Sequence, residues 1–353
     1  MQHPMSRQAR PTLHLVLICV ALFVGTLAVF SRSVPFGFIN YDDPAIVVNN
    51  PHVQRGLTWE GARWAFAVDR DYWHPLTWIS LMADRTWLGP DARGFRSENI
   101  VWHALNALLV FALIRRMTGT LWGAAACAAV FAWHPLRVES VTWVTQRKDV
   151  LSGFFVLVSL WAYLGYGAAV RDALARLRVA VGYVLALAMF VCALLSKSVV
   201  VVVPLVLLLL DVWPLRRWAA MAAAGRPWPL VACRLVGEKL PFFLLSLAVG
   251  LFTVSTQEAA GAFSLPLSFD QRAANAVVAV VRYLGTSVWP FGLSVMYPHP
   301  GDWPVVVVGA AGVVVAVITA VAIWSARERP WLLVGWGWFL AFLLPTLGLL
   351  QVG

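Results

Sequence analysis

An all-α, polytopic membrane protein is the fold class this sequence predicts, and two observations carry that expectation. The 353 residues are 60% hydrophobic and only 12% charged, about half the charged share with which a soluble domain covers its surface. The apolar residues also fall in blocks of roughly 20, enough for a helix rising about 1.5 Å per residue to cross about 30 Å of hydrocarbon. Net charge is +10, but the Arg and Lys residues sit at the ends of the apolar blocks, where they orient spans. The lipid bilayer is therefore the expected partner, and nucleic acid is not. Cys19, Cys127, Cys192 and Cys233 lie in or beside apolar segments, with no CxxC pair and no metal spacing, and read as small buried hydrophobes.

The first block, 12–30, follows Arg7 and Arg10 and reads as an uncleaved anchor with a cytoplasmic N-terminus. Further spans are expected at 99–114, 119–133, 150–167, 179–195, 199–214, 240–256, 304–324 and 331–350, making about nine in all. Basic clusters at Arg115–Arg116, Arg171–Arg178, Arg216–Lys239 and Arg327–Arg329 all fall on the N-terminal side if 276–297 does not cross. That segment is broken by Arg282, Pro290 and Gly292, and reads as a helix lying in the outer interface. A single transmembrane domain, 1–353, follows, with three outer-face loops at 31–97, 134–149 and 257–303.

The spans are nearly free of charge, whereas a carrier keeps its ionisable groups at mid-membrane. The polar chemistry sits in the outer loops, which favours an enzyme working at the membrane surface. In "FINYDDPAIVVNNPHV", Asp42 and Asp43 are adjacent carboxylates. Their repulsion could raise one pKa for base chemistry, or the pair could hold a divalent cation; equally, Asn-Tyr-Asp-Asp-Pro is turn-forming. In "YWHPLTWISLMAD", Tyr72, Trp73 and Trp78 read as interfacial anchors, and His74 reads either as a cap or as a group lining a substrate cavity. Asn99, His103 and Asn106 recur at i, i+4 and i+7, one helical face that must avoid lipid. They read as interhelical hydrogen-bonding groups or as a cavity lining. The loop "HPLRVESVTWVTQRKDV" gathers Arg137, Glu139, Arg147, Lys148 and Asp149 into thirteen residues. Basic groups at this depth suit a lipid phosphate, as do Lys197 and Arg282, although solvation or snorkelling also explains them. Asp211 is expected to pair with Arg216 and Arg217.

Taken in order, "FINYDDPAIVVNNPHVQRGLTWEGARWAF", "YWHPLTWISLMAD", "HPLRVESVTWVTQRKDVLSGFF", "LLSKS", "VPLVLLLLDVWPLRR", "EKLPFFLLSL" and "YLGTSVWPFGLSVMYP" resemble the membrane part of bacterial relatives of the transmembrane-and-TPR-containing O-mannosyltransferases. The resemblance runs collinearly over about residues 30–300. It implies a GT-C-like helical bundle that takes a sugar from a polyprenyl-phosphate carrier on the outer face. In that family an acidic residue of the first outer loop serves the acceptor or a metal, and the matching positions are Asp42 and Asp43. The second-loop motif brings Glu139, Arg147, Lys148 and Asp149, with Gln146 where relatives commonly carry Glu.

The resemblance therefore implies a mannosyl-type glycosyltransferase of a bacterial inner membrane with a periplasmic active site. Its partners would be a polyprenyl-phosphate-linked sugar and a protein or glycan acceptor. No cofactor is firmly implied, and a divalent cation is the one candidate. Donor phosphate would meet Glu139, Arg147, Lys148, Asp149, Lys197 and Arg282, and His74, His103 and Asn106 would line the cavity. Relatives continue past "LPTLGLLQVG" into further spans and TPR repeats, whereas no 34-residue helical repeat occurs in this sequence. The alternatives are a lipid-linked sugar flippase and a truncated, non-catalytic membrane scaffold.

Overall fold

The structure, a computed structural model, describes residues 9–67, 73–172, 175–259, 267–295, 297 and 300–349. It is 81% helical, and no strand occurs among the described residues. Two compact units divide the chain, the first comprising 1–66 and 74–158, the second 67–73 and 159–353.

In the first unit, α1 (Ala9–Ser31), α4 (Ala92–Thr118) and α5 (Leu121–Trp133) pack together through small and aliphatic side chains. Leu22, Phe111, Ala124 and Ala128 form one buried cluster at this junction. Gly25 allows the α1 backbone to approach Trp133, since a Cβ there would lie 2.8 Å from the indole ring. Gly119 ends α4 in the left-handed conformation, φ 72°, which costs glycine little. Arg115 and Arg116 in the last turn complement the negative end of that helix. A compact cap is built from α2 (Trp59–Ala65) and α3 (Pro75–Trp87) around Val53, Trp78, Leu81, Met82, Phe95 and Val144. Thr58 caps α2 by accepting from Gly61 N at 3.0 Å. Trp78 is therefore a core residue and not an interfacial anchor, because α3 turns that face toward the cap interior. Trp73 belongs to the second unit, where it meets Phe252 edge-on, and Tyr72 lies outside the described residues. The unit boundary falls within α6 (Arg147–Arg171).

The second unit contains the rest of α6 with α7 (Arg176–Ser196), α8 (Val203–Val212), α9 (Leu240–Ala259), α10 (Phe269–Val288), α11 (Val305–Trp324) and α12 (Pro330–Leu343). Close packing of α6 on α7 depends on Gly182, whose absent Cβ would lie 3.1 Å from the Tyr166 backbone. Ser159 Oγ adds a hydrogen bond to Ala186 O at 2.7 Å across the same pair. A buried ionic network closes one end of this unit. Asp211 accepts from Tyr163 at 2.9 Å and Arg217 at 3.2 Å and also pairs with Lys239, while Arg217 reaches Glu238 at 2.7 Å. Asp211 thus pairs with Arg217 as expected, and its second cation is Lys239 rather than Arg216.

Among the described residues, six helices are long and apolar enough to cross a membrane: Thr12–Ser31, Ala92–Thr118, Val144–Arg171, Arg176–Ser196, Leu240–Glu258 and Val305–Arg327. A pair bent by 49°, Ser198–Val212 with Arg217–Ala223, raises the number to seven. The remaining expected spans are the shorter apolar helices Leu121–Trp133 and Pro330–Thr346, so the count of nine is not reached by length. Only 11% of the apolar window of Val305–Arg327 is buried within the protein, and the rest of that surface requires an apolar solvent. The chain is thus a multi-pass helical membrane protein. Cys127 and Cys233 are exposed on its helices rather than buried, unlike the half-buried Cys19 and Cys192. The amphipathic helix α10 is not among the candidate spans; a Ser268–Gln271 capping box starts it, and Ala276 and Val280 pack against Leu347.

If Gly182 is the close-approach point of α6 and α7, Gly182→Leu should force those helices apart. Overpacking of this kind costs about 1–3 kcal/mol. Thermal unfolding of the detergent-purified protein should show a clear drop in Tm for Gly182→Leu, with Gly237→Leu, where a Cβ meets open space, serving as the comparison.

Candidate functional site

The first two loops of the first unit are held together by two buried arginines and one buried carboxylate. Arg96, on α4, donates from Nε to Thr142 O at 2.7 Å and from Nη2 to Gly37 O at 2.8 Å, and also to Phe36 O. It ties the chain after α1 to the short helix Val138–Thr142. Arg147 is fully buried at the start of α6. Its Nε donates to Asn99, Nη1 to Ser80, and Nη2 to both Asp84 and Phe95 O. One guanidinium thereby binds α3, α4 and α6. Burial pushes the Asp84 carboxyl up to about 6, against the opposing charge of Arg147.

These constraints separate the adjacent carboxylates. Asp43 is fully buried; its Oδ2 accepts from Ile39 N at 2.8 Å and its Oδ1 from Thr145 N at 3.2 Å. It clasps the first loop to the second, and burial raises its pKa against those two backbone donors. Asp42 is half-exposed, and no partner holds its carboxylate among the described residues. Its carbonyl accepts from Ile46 N at 2.9 Å, which fixes the backbone that carries it. Beside it, exposed Tyr41 meets buried Trp143 edge-on, 5.6 Å between centroids. Each Asp43 oxygen thus accepts from one backbone N–H group. Among the described residues no group of three His, Cys, Asp or Glu side chains is placed to hold a metal ion.

The other sequence-selected residues divide between the units. Asn99, His103 and Asn106 are buried on one face of α4, and each bonds to a neighbouring element. Asn99 donates to Trp143 O at 3.0 Å, His103 Nε2 lies 2.9 Å from Ala132 O, and Asn106 donates to Val150 O at 2.7 Å. His74 stands at the N-cap of α3 without a side-chain capping bond. His134, which the sequence did not single out, does cap, its Nδ1 accepting from Leu136 N at 3.3 Å. Glu139 is exposed and accepts from Gln146 at 3.4 Å, while Lys148 and Asp149 are half-buried. Asp149 accepts from Ser140 Oγ at 2.9 Å. In the second unit, Lys197 is half-buried in extended backbone directly after α7. Arg282 is exposed, with Tyr297 and Trp303 rings 5.2 and 6.0 Å from its guanidinium carbon. Trp303 also donates to Asn275, two turns before Arg282.

Arg96 and the Arg147 partners Ser80 and Asp84 were not legible as a site from sequence. The one available signal was the presence of Arg and Asp inside otherwise apolar helical surfaces, where charge persists only if paired.

Comparison with curated proteins returns protein O-mannosyl-transferases. The chain is 27% identical to Protein O-mannosyl-transferase Tmtc2 of Drosophila melanogaster over 205 residues, 56% of this chain and 21% of the relative. It is 29% identical to Protein O-mannosyl-transferase TMTC4 of Homo sapiens over 175 residues, 43% of this chain and 23% of the relative. Against Protein O-mannosyl-transferase TMTC1 of Mus musculus it is 28% identical over 151 residues, 39% of this chain and 15% of the relative. The chain is related to this family through its membrane part, and the match spans about a fifth of the relatives' length. No family model and no solved structure matches.

Arg147→Met should leave Asp84 as an uncompensated buried charge and cost roughly 3–5 kcal/mol, whereas combining it with Asp84→Leu removes both charges and should recover much of the loss. Thermal unfolding of the single and double variants reads this directly. Equal stability of Arg147→Met and the unaltered protein would remove the guanidinium from its central position.

Proposed function

We propose that this relative of the O-mannosyl-transferases is a membrane glycosyltransferase that moves a mannose-like sugar from a polyprenyl-phosphate carrier to an acceptor hydroxyl. The acceptor is a protein or glycan, and the reaction takes place on the periplasmic face of a bacterial inner membrane. Supporting this reading are the activity for which the relatives are named and the multi-pass fold.

The observation that carries the chemistry is the division of the two carboxylates. Asp43 is spent on fixing the loop, which leaves Asp42 as the half-exposed carboxylate available to a substrate. In the proposed reaction Asp42 accepts the acceptor hydroxyl proton as the acceptor oxygen attacks the anomeric carbon. The bond from that carbon to the phosphate oxygen breaks, and its electron pair leaves with the polyprenyl phosphate. A positioned general base contributes about 10²–10⁴-fold.

Asp42→Asn should therefore lower sugar transfer by roughly 10²-fold or more while leaving folding unchanged. Asp43→Asn should act the other way round, removing one acceptor from the clasp and destabilising the protein by about 1–3 kcal/mol. Transfer assays from a mannosyl polyprenyl phosphate, run beside thermal unfolding, separate the two effects. Full activity of Asp42→Asn would reject Asp42 as the base.

A further inference from the structure

Arg137 is a cation to whose Nε the fold gives no hydrogen-bond partner. Its residue is half-buried, and that Nε is itself buried. Asp149 is near enough to act on its charge, but hydrogen-bonds to Ser140. The guanidinium carbon lies 4.9 Å from the centroid of Phe131, whose ring also meets His103 at 5.3 Å. Phe131 thus limits where the cation can turn. A guanidinium at this depth loses hydration, and neither the ring nor the negative end of α5 offsets that loss as an ionised, fork-matched acceptor would.

The surroundings specify the acceptor. Arg137 follows apolar α5 by four residues and lies against its last turn, level with Phe131. Val130, Trp133 and Val138 are exposed around it, a surface that suits hydrocarbon rather than water. An anion reaching this position arrives on a lipid, and a phosphate offers the paired oxygens that an Arg fork takes.

We infer that Arg137 binds the phosphate of the lipid-linked donor, with the donor's isoprenoid chain lying along the exposed apolar face of α5. This rests on the transferase reading for the donor's identity. It assigns phosphate recognition to a different arginine of the second loop from Arg147, whose donors are already committed.

The test titrates the full, detergent-purified chain with undecaprenyl phosphate and, separately, with phosphatidylglycerol, reading bound lipid by native mass spectrometry. Arg137→Gln should weaken undecaprenyl phosphate binding about ten- to a hundredfold, the usual worth of a charge-assisted contact, with phosphatidylglycerol little changed. If the Gln variant does not fold, Arg137→Lys serves, and loss of the fork should still weaken binding several-fold. Unchanged undecaprenyl phosphate binding in the folded variant overturns the inference. Equal weakening for both lipids also overturns it, making Arg137 a general headgroup contact. Sugar transfer by the unaltered chain separates this from the transferase reading. Arg137-dependent lipid binding without transfer rejects only that reading, and normal transfer and binding with Gln at 137 rejects only the inference.

Discussion

Burial of the Arg147 guanidinium is the constraint on which the first unit depends. Lipid offers helices no hydrophobic drive to associate, so polar contacts and close packing must choose their arrangement. Arg147 accomplishes this by donating to α3 and α4 from the first residue of α6. A buried ion pair adds little net stability over apolar side chains of the same volume, but a broken one is costly. Its contribution here is to exclude other registers of the three helices. Arg96 extends the same logic to backbone carbonyls of the first loop and of Val138–Thr142, and Asp43 joins that loop to Thr145. The half-exposed carboxylate of Asp42 inherits its place from these contacts.

Hydropathy made the membrane class and six of the spans legible, because a span needs little beyond length and apolarity. Length does not confirm the count of nine where an apolar run is short or bent. Leu121–Trp133 is stopped by the His134–Pro135 turn after 13 residues, about 20 Å of helix. The run 199–214 bends at the break containing Pro214, which cannot continue a helix. Asn99, His103 and Asn106 were legible as an inward face because polar side chains are costly against lipid.

Roles within a cluster were harder to read. Asp42 and Asp43 are equivalent in sequence and differ because Ile39 N and Thr145 N, the latter 102 positions away, claim one of them. Arg137 and Arg147 looked alike for the same reason, and only burial separates the arginine with every nitrogen engaged from the one with an orphaned Nε. Trp78 carried an anchor's composition in an amphipathic stretch, yet the cap core of α2 and α3 encloses it. Lys239 joined Asp211 from 28 positions away, beyond the reach of any local pattern.

The proposed chemistry requires the sugar to lie against the loop that Asp43 pins, with Asp42 facing the reacting centre. The most direct measurement is a cryo-electron microscopy structure of the chain bound to a non-transferable mannosyl polyprenyl phosphate analogue. The expected result places the sugar's anomeric carbon beside the Asp42 carboxylate, with room between them for an acceptor hydroxyl. Donor density bound away from the first loop, with Asp42 facing solvent, would contradict it.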